Sequence, residues 1–198
     1  MSSTEAYYNR HAQQFVDDTL HVDMRSLYAP FLAGLPVNAL ILDAGCGSGR
    51  DAQAFQKQGY QVSAFDASEQ LASRASQLLG FTVPVKRFDE LEEIERYDGI
   101  WACASLLHVP ERQLPGAFAR LWRALKPGGV LYCSFKRGQG ERQHHDRHFT
   151  DVDETRIGVW TRALPSLSRT TCWLTPDQRP GRDEQWLNVL LHNSAGDL

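Results

Sequence analysis

The apolar run Leu40-Ile-Leu ends in Asp43 and passes through Ala44 into glycines at 45, 47 and 49, after which a helical pattern begins. A buried strand that opens into a loop without side chains lets a ligand approach the backbone, and open α/β sheets bind their ligands at such strand ends. This stretch restricts the chain to an α/β architecture with a site at the sheet's edge. A dinucleotide fingerprint, G-x-G-x-x-G, would place its third glycine at position 50, which Arg50 occupies with a side chain that would disturb close helix–strand packing. Asp43 also suits a pyrophosphate poorly. A carboxylate at a buried strand end favours a ligand with an ammonium or sulfonium group.

Strand and helix patterns alternate from Leu40 to Lys136, which implies parallel βαβ units with right-handed crossovers. Strands are predicted over 40–43, 61–66, 83–88, 97–103 and 130–135, and a closing antiparallel hairpin over 167–174 and 185–192 completes seven. Helices are predicted over 20–32 with a break at Pro30, from Gly49 to a stop at Gly59, from the cap Ser68 to Gly80, and over 111–125. A last helix, capped by Thr150 or Asp151, reaches Leu164. Lys126-Pro-Gly-Gly129 reads as a hard turn, and the polar stretch 137–149 as a loop. Asp66, at the end of the second strand, is placed to accept hydrogen bonds from both hydroxyls of a ribose.

Asp43-Ala-Gly-Cys-Gly-Ser-Gly-Arg50 resembles the first motif of the class I S-adenosylmethionine-dependent methyltransferases. Three further stretches resemble that family in the same order: Phe88-Asp-Glu-Leu91, Tyr97 through Val109, and Leu125 through Leu131. The resemblance implies a single-domain, Rossmann-like α/β fold with helices on both faces of a seven-stranded, mostly parallel sheet of order 3-2-1-4-5-7-6. It implies S-adenosylmethionine as cofactor, held by Asp43, Gly45, Cys46, Gly47, Asp66, Ala67, Asp89, Glu90 and Ala104. Asp89 would accept from the adenine amino group, backbone near Ala104 would meet the methionyl ammonium, and Leu107 and His108 would border the methyl group. Tyr7 through Phe15 resembles a helix that covers the cofactor, with Tyr8 and Phe15 as its aromatics.

Within one domain of residues 1–198, the expected parts are cap helices over 1–38, a cofactor-binding core over 39–136, a substrate-side loop over 137–149, and a helix with the closing hairpin over 150–198. A net charge of −3 gives no electrostatic footprint for nucleic acid or membrane, and no apolar run approaches spanning length. A cytoplasmic bacterial enzyme, monomer or homodimer, acting on a small molecule is the expectation. The four cysteines form no C-x-x-C pair, so neither a disulfide framework nor a zinc site is expected. Methyl transfer needs no metal, so His144, His145 and His148 are not read as ligands.

In-line methyl transfer needs a base only when the acceptor arrives protonated. His108 is the candidate base, and Tyr8 the hydroxyl that orients the acceptor. Lys136 and Arg147, flanking a cationic stretch at the ligand edge, are candidate anion-binding residues. The pattern from Ser134-Phe-Lys136 to Arg147-His-Phe-Thr150 resembles small bacterial methyltransferases of the tellurite-resistance-like type, implying an oxyanion, chalcogen or thiol acceptor. Two other readings remain open at this point: a non-catalytic module that binds the cofactor, and an NAD(P)-dependent oxidoreductase.

Overall fold

The computed structural model describes residues 1–179, 181 and 183–195. Positions 180 and 182 of the predicted connection before the last strand, and 196–198 of the closing segment, lie outside the described residues. Three short helices come first: α1 (Ser3–Arg10), α2 (Ala12–Thr19) and α3 (Arg25–Leu32). Ser2 and Glu5 close a reciprocal capping box on α1, satisfying amides that the first turn would otherwise leave unpaired. The helix predicted over 20–32 is shorter than expected, because Leu20 ends α2 and the Asp23 carboxylate accepts from the Arg25 amide where α3 begins. Pro30 lies inside α3 without breaking it.

The core then alternates β1 (Leu40–Ala44), α4 (Arg50–Lys57), β2 (Gln61–Phe65), α5 (Glu69–Leu79), β3 (Tyr97–Ala102), α6 (Leu114–Ala124) and β4 (Leu125–Lys136). Ser68 caps α5 through the Leu71 amide, and Gly80 ends it in the left-handed conformation. A two-stranded hairpin follows, β5 (Gly140–His144) and β6 (Arg147–Asp151), then α7 (Glu154–Thr161), β7 (Leu167–Pro176) and β8 (Gln185–Asn193). The main sheet has six strands in the order β2-β1-β3-β4-β8-β7. β2, β1, β3 and β4 run parallel, whereas β8 is antiparallel to β4 and β7 to β8.

Three expectations are corrected. The strand predicted over 83–88 shrinks to one parallel bridge, Asp66 to Val85, so the sheet has six strands rather than seven. Pro84 cannot donate to a ladder and Val85 is exposed, so this edge gains little from pairing further. The other six strands keep the expected neighbours. The predicted loop 137–149 is instead the β5–β6 hairpin, turned by His145 and Asp146, both at positive φ. Thr150 and Asp151 belong to β6, and Asp153 caps α7 through the Arg156 amide.

Apolar side chains fill both faces, as the near-continuous hydrophobic strands require. On one face Phe31 and Phe55 pack on Trp101, whose ring stacks on Tyr132 at 3.8 Å between centroids. On the other, Phe118, Leu121 and Trp122 of α6 meet Phe135, Ile157 and Trp160. Among the described residues no helix is long and apolar enough to cross a membrane.

Candidate functional site

Two cavities meet over the carboxyl ends of β1, β3 and β4. The larger, about 910 Å³, runs from the glycine loop past Asp66, Ala67 and Ser68 to Phe88 and Asp89. The smaller, about 280 Å³, reaches from the same loop to Lys136, Arg147 and the last strands. Tyr8, Phe15, Gly45, Gly47, Ala104 and His108 line both, so the two cavities share this wall.

The loop's glycines are demanded by its geometry. Gly45 lies at φ 77° and Gly47 at φ 55°. A Cβ on Gly45 would stand 2.6 Å from that of Ser105, and one on Gly47 would stand 2.9 Å from the Phe15 ring. The backbone is thus bare where both cavities converge. Ala104 holds φ 51° without being glycine, and its amide donates to Ser134 Oγ at 2.9 Å. A strained residue kept by its surroundings at a cavity wall has a positional role.

Asp66 is 9% exposed, and its two oxygens accept from the amides of Gly47 and Ser68, both at 2.8 Å. Burial raises its carboxyl, while those two amides pull it back. Each oxygen keeps a lone pair for a further donor in the larger cavity. Asp43 lines the smaller cavity and accepts from the Ala52 amide at 3.1 Å. Burial, and then the nearby Asp51, hold its carboxyl well above the ordinary range, so an arriving cation would favour its ionisation.

Arg50 stands where a dinucleotide fingerprint would have its third glycine. Its guanidinium turns back onto Asp51 with contacts of 2.6 and 2.9 Å and reaches the Thr19 carbonyl at 3.3 Å. Asp51 also accepts from the Tyr28 hydroxyl at 2.6 Å and the Trp101 indole at 2.8 Å. Burial alone would raise the Asp51 carboxyl, but Arg50, Tyr28 and Trp101 hold it below its ordinary value.

Of the residues expected to hold the cofactor, Gly45, Gly47, Asp66, Ala67, Asp89 and Ala104 line the larger cavity. Asp43 and Cys46 face the smaller one. Glu90 lines neither. Its carboxylate accepts from the Arg87 amide at 2.8 Å and closes a 3₁₀ turn over Phe88–Glu90. The Glu90 side chain is thus engaged in short-range backbone capping.

The structure brings Tyr8 and His108 together. The Tyr8 hydroxyl and His108 Nε2 are 2.8 Å apart, and His108 Nδ1 lies 2.7 Å from the His148 carbonyl. A carbonyl only accepts, so Nδ1 carries the proton and Nε2 accepts from Tyr8. Burial pushes the imidazole down to about 4, which keeps it neutral near pH 7. Of the two expected anion binders, Lys136 is already paired with Glu184. Arg147, on β6, lies 4.5 Å from the centre of the Tyr7 ring and has no carboxylate partner among the described residues. Glu184, Asp177 and Arg179 were not anticipated, because they enter the smaller cavity from the far end of the chain. A visible hint was Asn188, a polar residue inside an apolar strand; it is fully buried and accepts from Tyr132 at 2.7 Å.

Residues 41–129 match the family described as a methyltransferase domain. A Bacillus subtilis (strain 168) protein named as a methyltransferase, YqeM, is 30% identical over 139 residues, covering 65% of this chain and 55% of the relative. The trans-aconitate 2-methyltransferase of Deinococcus radiodurans is 30% identical over 130 residues, covering 63% of this chain and 48% of that protein. The chain thus spans about half the length of these two curated relatives. Among solved structures, the 1,6-didemethyltoxoflavin-N1-methyltransferase of Burkholderia thailandensis, with its substrate and S-adenosylhomocysteine bound, shares the fold. Its TM-score is 0.77 at 24% identity, over 96% of this chain and 87% of that one.

Proposed function

We infer that this chain is an S-adenosylmethionine-dependent methyltransferase of class I acting on a small-molecule acceptor. The observation that carries this reading is the pair of cavities joined at a bare glycine loop. One has room for a nucleoside-bearing cofactor and is lined by Asp66, which would take the ribose, and the other has room for a small acceptor. S-adenosylmethionine is the cofactor. Gly45 and Gly47 leave the backbone open for its methionyl arm, and a Cβ at either would fill that cradle. Asp43 would face the arm's cationic end, and Asp89 the adenine.

When bound, the cofactor supplies an electrophilic methyl group on a sulfonium. The chain orients the acceptor and carries off its proton. For an acceptor that arrives protonated, the Tyr8 oxygen would take its proton and pass its own to His108 Nε2, while Nδ1–H stays on the His148 carbonyl. Burial keeps His108 neutral near pH 7, so Nε2 is without a proton and free to receive one. Among the described residues Arg147 gives the smaller cavity a cation without an acid partner, which supports an acceptor with an anionic group. Small oxyanions and chalcogen or thiol compounds, as in the tellurite-resistance-like type, fit that description.

Calorimetry tests the cofactor. S-adenosylhomocysteine should bind at micromolar concentration and NAD should not; the reverse would establish a dinucleotide enzyme. Binding without turnover of any oxyanion, thiol or small acid would instead favour a non-catalytic module. Tyr8→Phe should lower kcat about a hundredfold for an acceptor that must lose a proton and leave a thiolate acceptor much less affected. Equal losses on both would remove Tyr8 from the proton path.

A further inference from the structure

We propose that the acceptor is amphoteric, with an anionic group bound by Arg147 and an N–H or ammonium donor directed to Glu184. This rests on the smaller cavity being the acceptor chamber. Both residues line that cavity, and each holds a buried polar atom without a partner among the described residues: Nε of Arg147, a donor, and Oε2 of Glu184, an acceptor. An unmet donor and an unmet acceptor each cost free energy while buried, and one ligand carrying the complementary groups relieves both.

Asp43, at the glycine-loop end of the chamber, is taken by the cationic end of the cofactor's arm in the reading above, and the other charges do not compete for these roles. Arg50 is matched by Asp51, Arg179 by Asp177, and Lys136 by the other oxygen of Glu184. Asp18 is an exposed rim carboxylate that already accepts from Gln14 at 2.7 Å. Arg147 lies 5.2 Å, and Lys136 5.1 Å, from the centre of the Phe149 ring, so the two positions are bridged by one aromatic plane. Tyr7, Phe149 and Trp186 give the walls between them an aromatic lining. A planar ring bearing both an acid and an amine is the simplest molecule matching that arrangement.

Three probes of one shape separate the contributions: 3-aminobenzoate, benzoate and aniline, titrated into the protein with and without S-adenosylhomocysteine. 3-Aminobenzoate should bind about tenfold more tightly than either monofunctional compound, as expected for one added charge-assisted hydrogen bond. Arg147→Gln should abolish the advantage of 3-aminobenzoate over aniline. Glu184→Gln should abolish its advantage over benzoate and, by releasing Lys136, tighten benzoate itself. Unchanged thermal unfolding and S-adenosylhomocysteine affinity in both variants establish that they fold. If 3-aminobenzoate binds no more tightly than the other two, or if neither variant alters the ranking, the amphoteric class is wrong. Failure of S-adenosylhomocysteine to bind would count against the cofactor instead, and the titrations on the cofactor-free protein would still decide the acceptor class.

Discussion

Asp51→Ala is expected to destabilise the protein by about 3 kcal/mol or more, the range seen when one partner of a buried ion pair is removed. Three donors converge on this carboxylate: the Arg50 guanidinium, the Tyr28 hydroxyl and the Trp101 indole. Without it, Arg50 keeps its charge with only 18% of its side chain exposed, and two aromatic donors lose their acceptor. Asp51→Asn retains an oxygen and should cost less. Urea unfolding of the three proteins at pH 7 measures this, and a loss below about 1 kcal/mol for Asp51→Ala would show that the network is dispensable. The pH dependence has a definite sign. Because the folded protein holds this carboxyl below its ordinary value of 3.8, its contribution is complete above that value and is lost as pH falls below it.

The second large effect is on binding. Asp66→Ala should weaken S-adenosylhomocysteine by on the order of 2–3 kcal/mol, roughly 30- to 150-fold, through the loss of two ribose hydrogen bonds. The structure enlarges the expectation drawn from position alone. Asp66 also ties the amide of Gly47, in the loop, to that of Ser68, at the head of α5. Removing it leaves both amides unpaired and loosens the cradle. Calorimetry on the folded variant checks the affinity, and an unchanged value would place the ribose elsewhere.

These two carboxylates mark what could be read in advance. The glycine loop, Asp66 and the strand–helix alternation are local signals, since spacing along the chain there equals position in the fold. The role of Asp51 was hidden because its partners Tyr28 and Trp101 arrive from α3 and β3, and no spacing links them. Val83, Val85 and Phe88 give 83–88 the composition of a strand, but Pro84 offers no amide to a ladder, so only one bridge forms. The β5–β6 hairpin was missed for the opposite reason. Its polar, histidine-rich strands carry little apolar alternation, and their pairing is evident only from the register that joins Glu141 to Thr150 and Arg142 to Phe149. Glu184 was invisible as a ligand residue until β8 was seen to return beside β4, which places it against Lys136.

The opening helix α1 has a thermodynamic consequence. Eight residues are too few to hold a helix alone in water, so neighbours must hold it. On the cofactor side Asn9 meets Ser68 at 2.7 Å, and Glu5 meets Arg87 at 2.6 Å. Toward the β5–β6 hairpin Thr4 meets the His148 amide at 2.9 Å, and Arg10 meets Asp146 at 3.2 Å. One small element is therefore a shared debt of order. Tyr8 on this helix lines both cavities, so any change in its order would reach both sites, and linkage would make such a coupling equal in both directions.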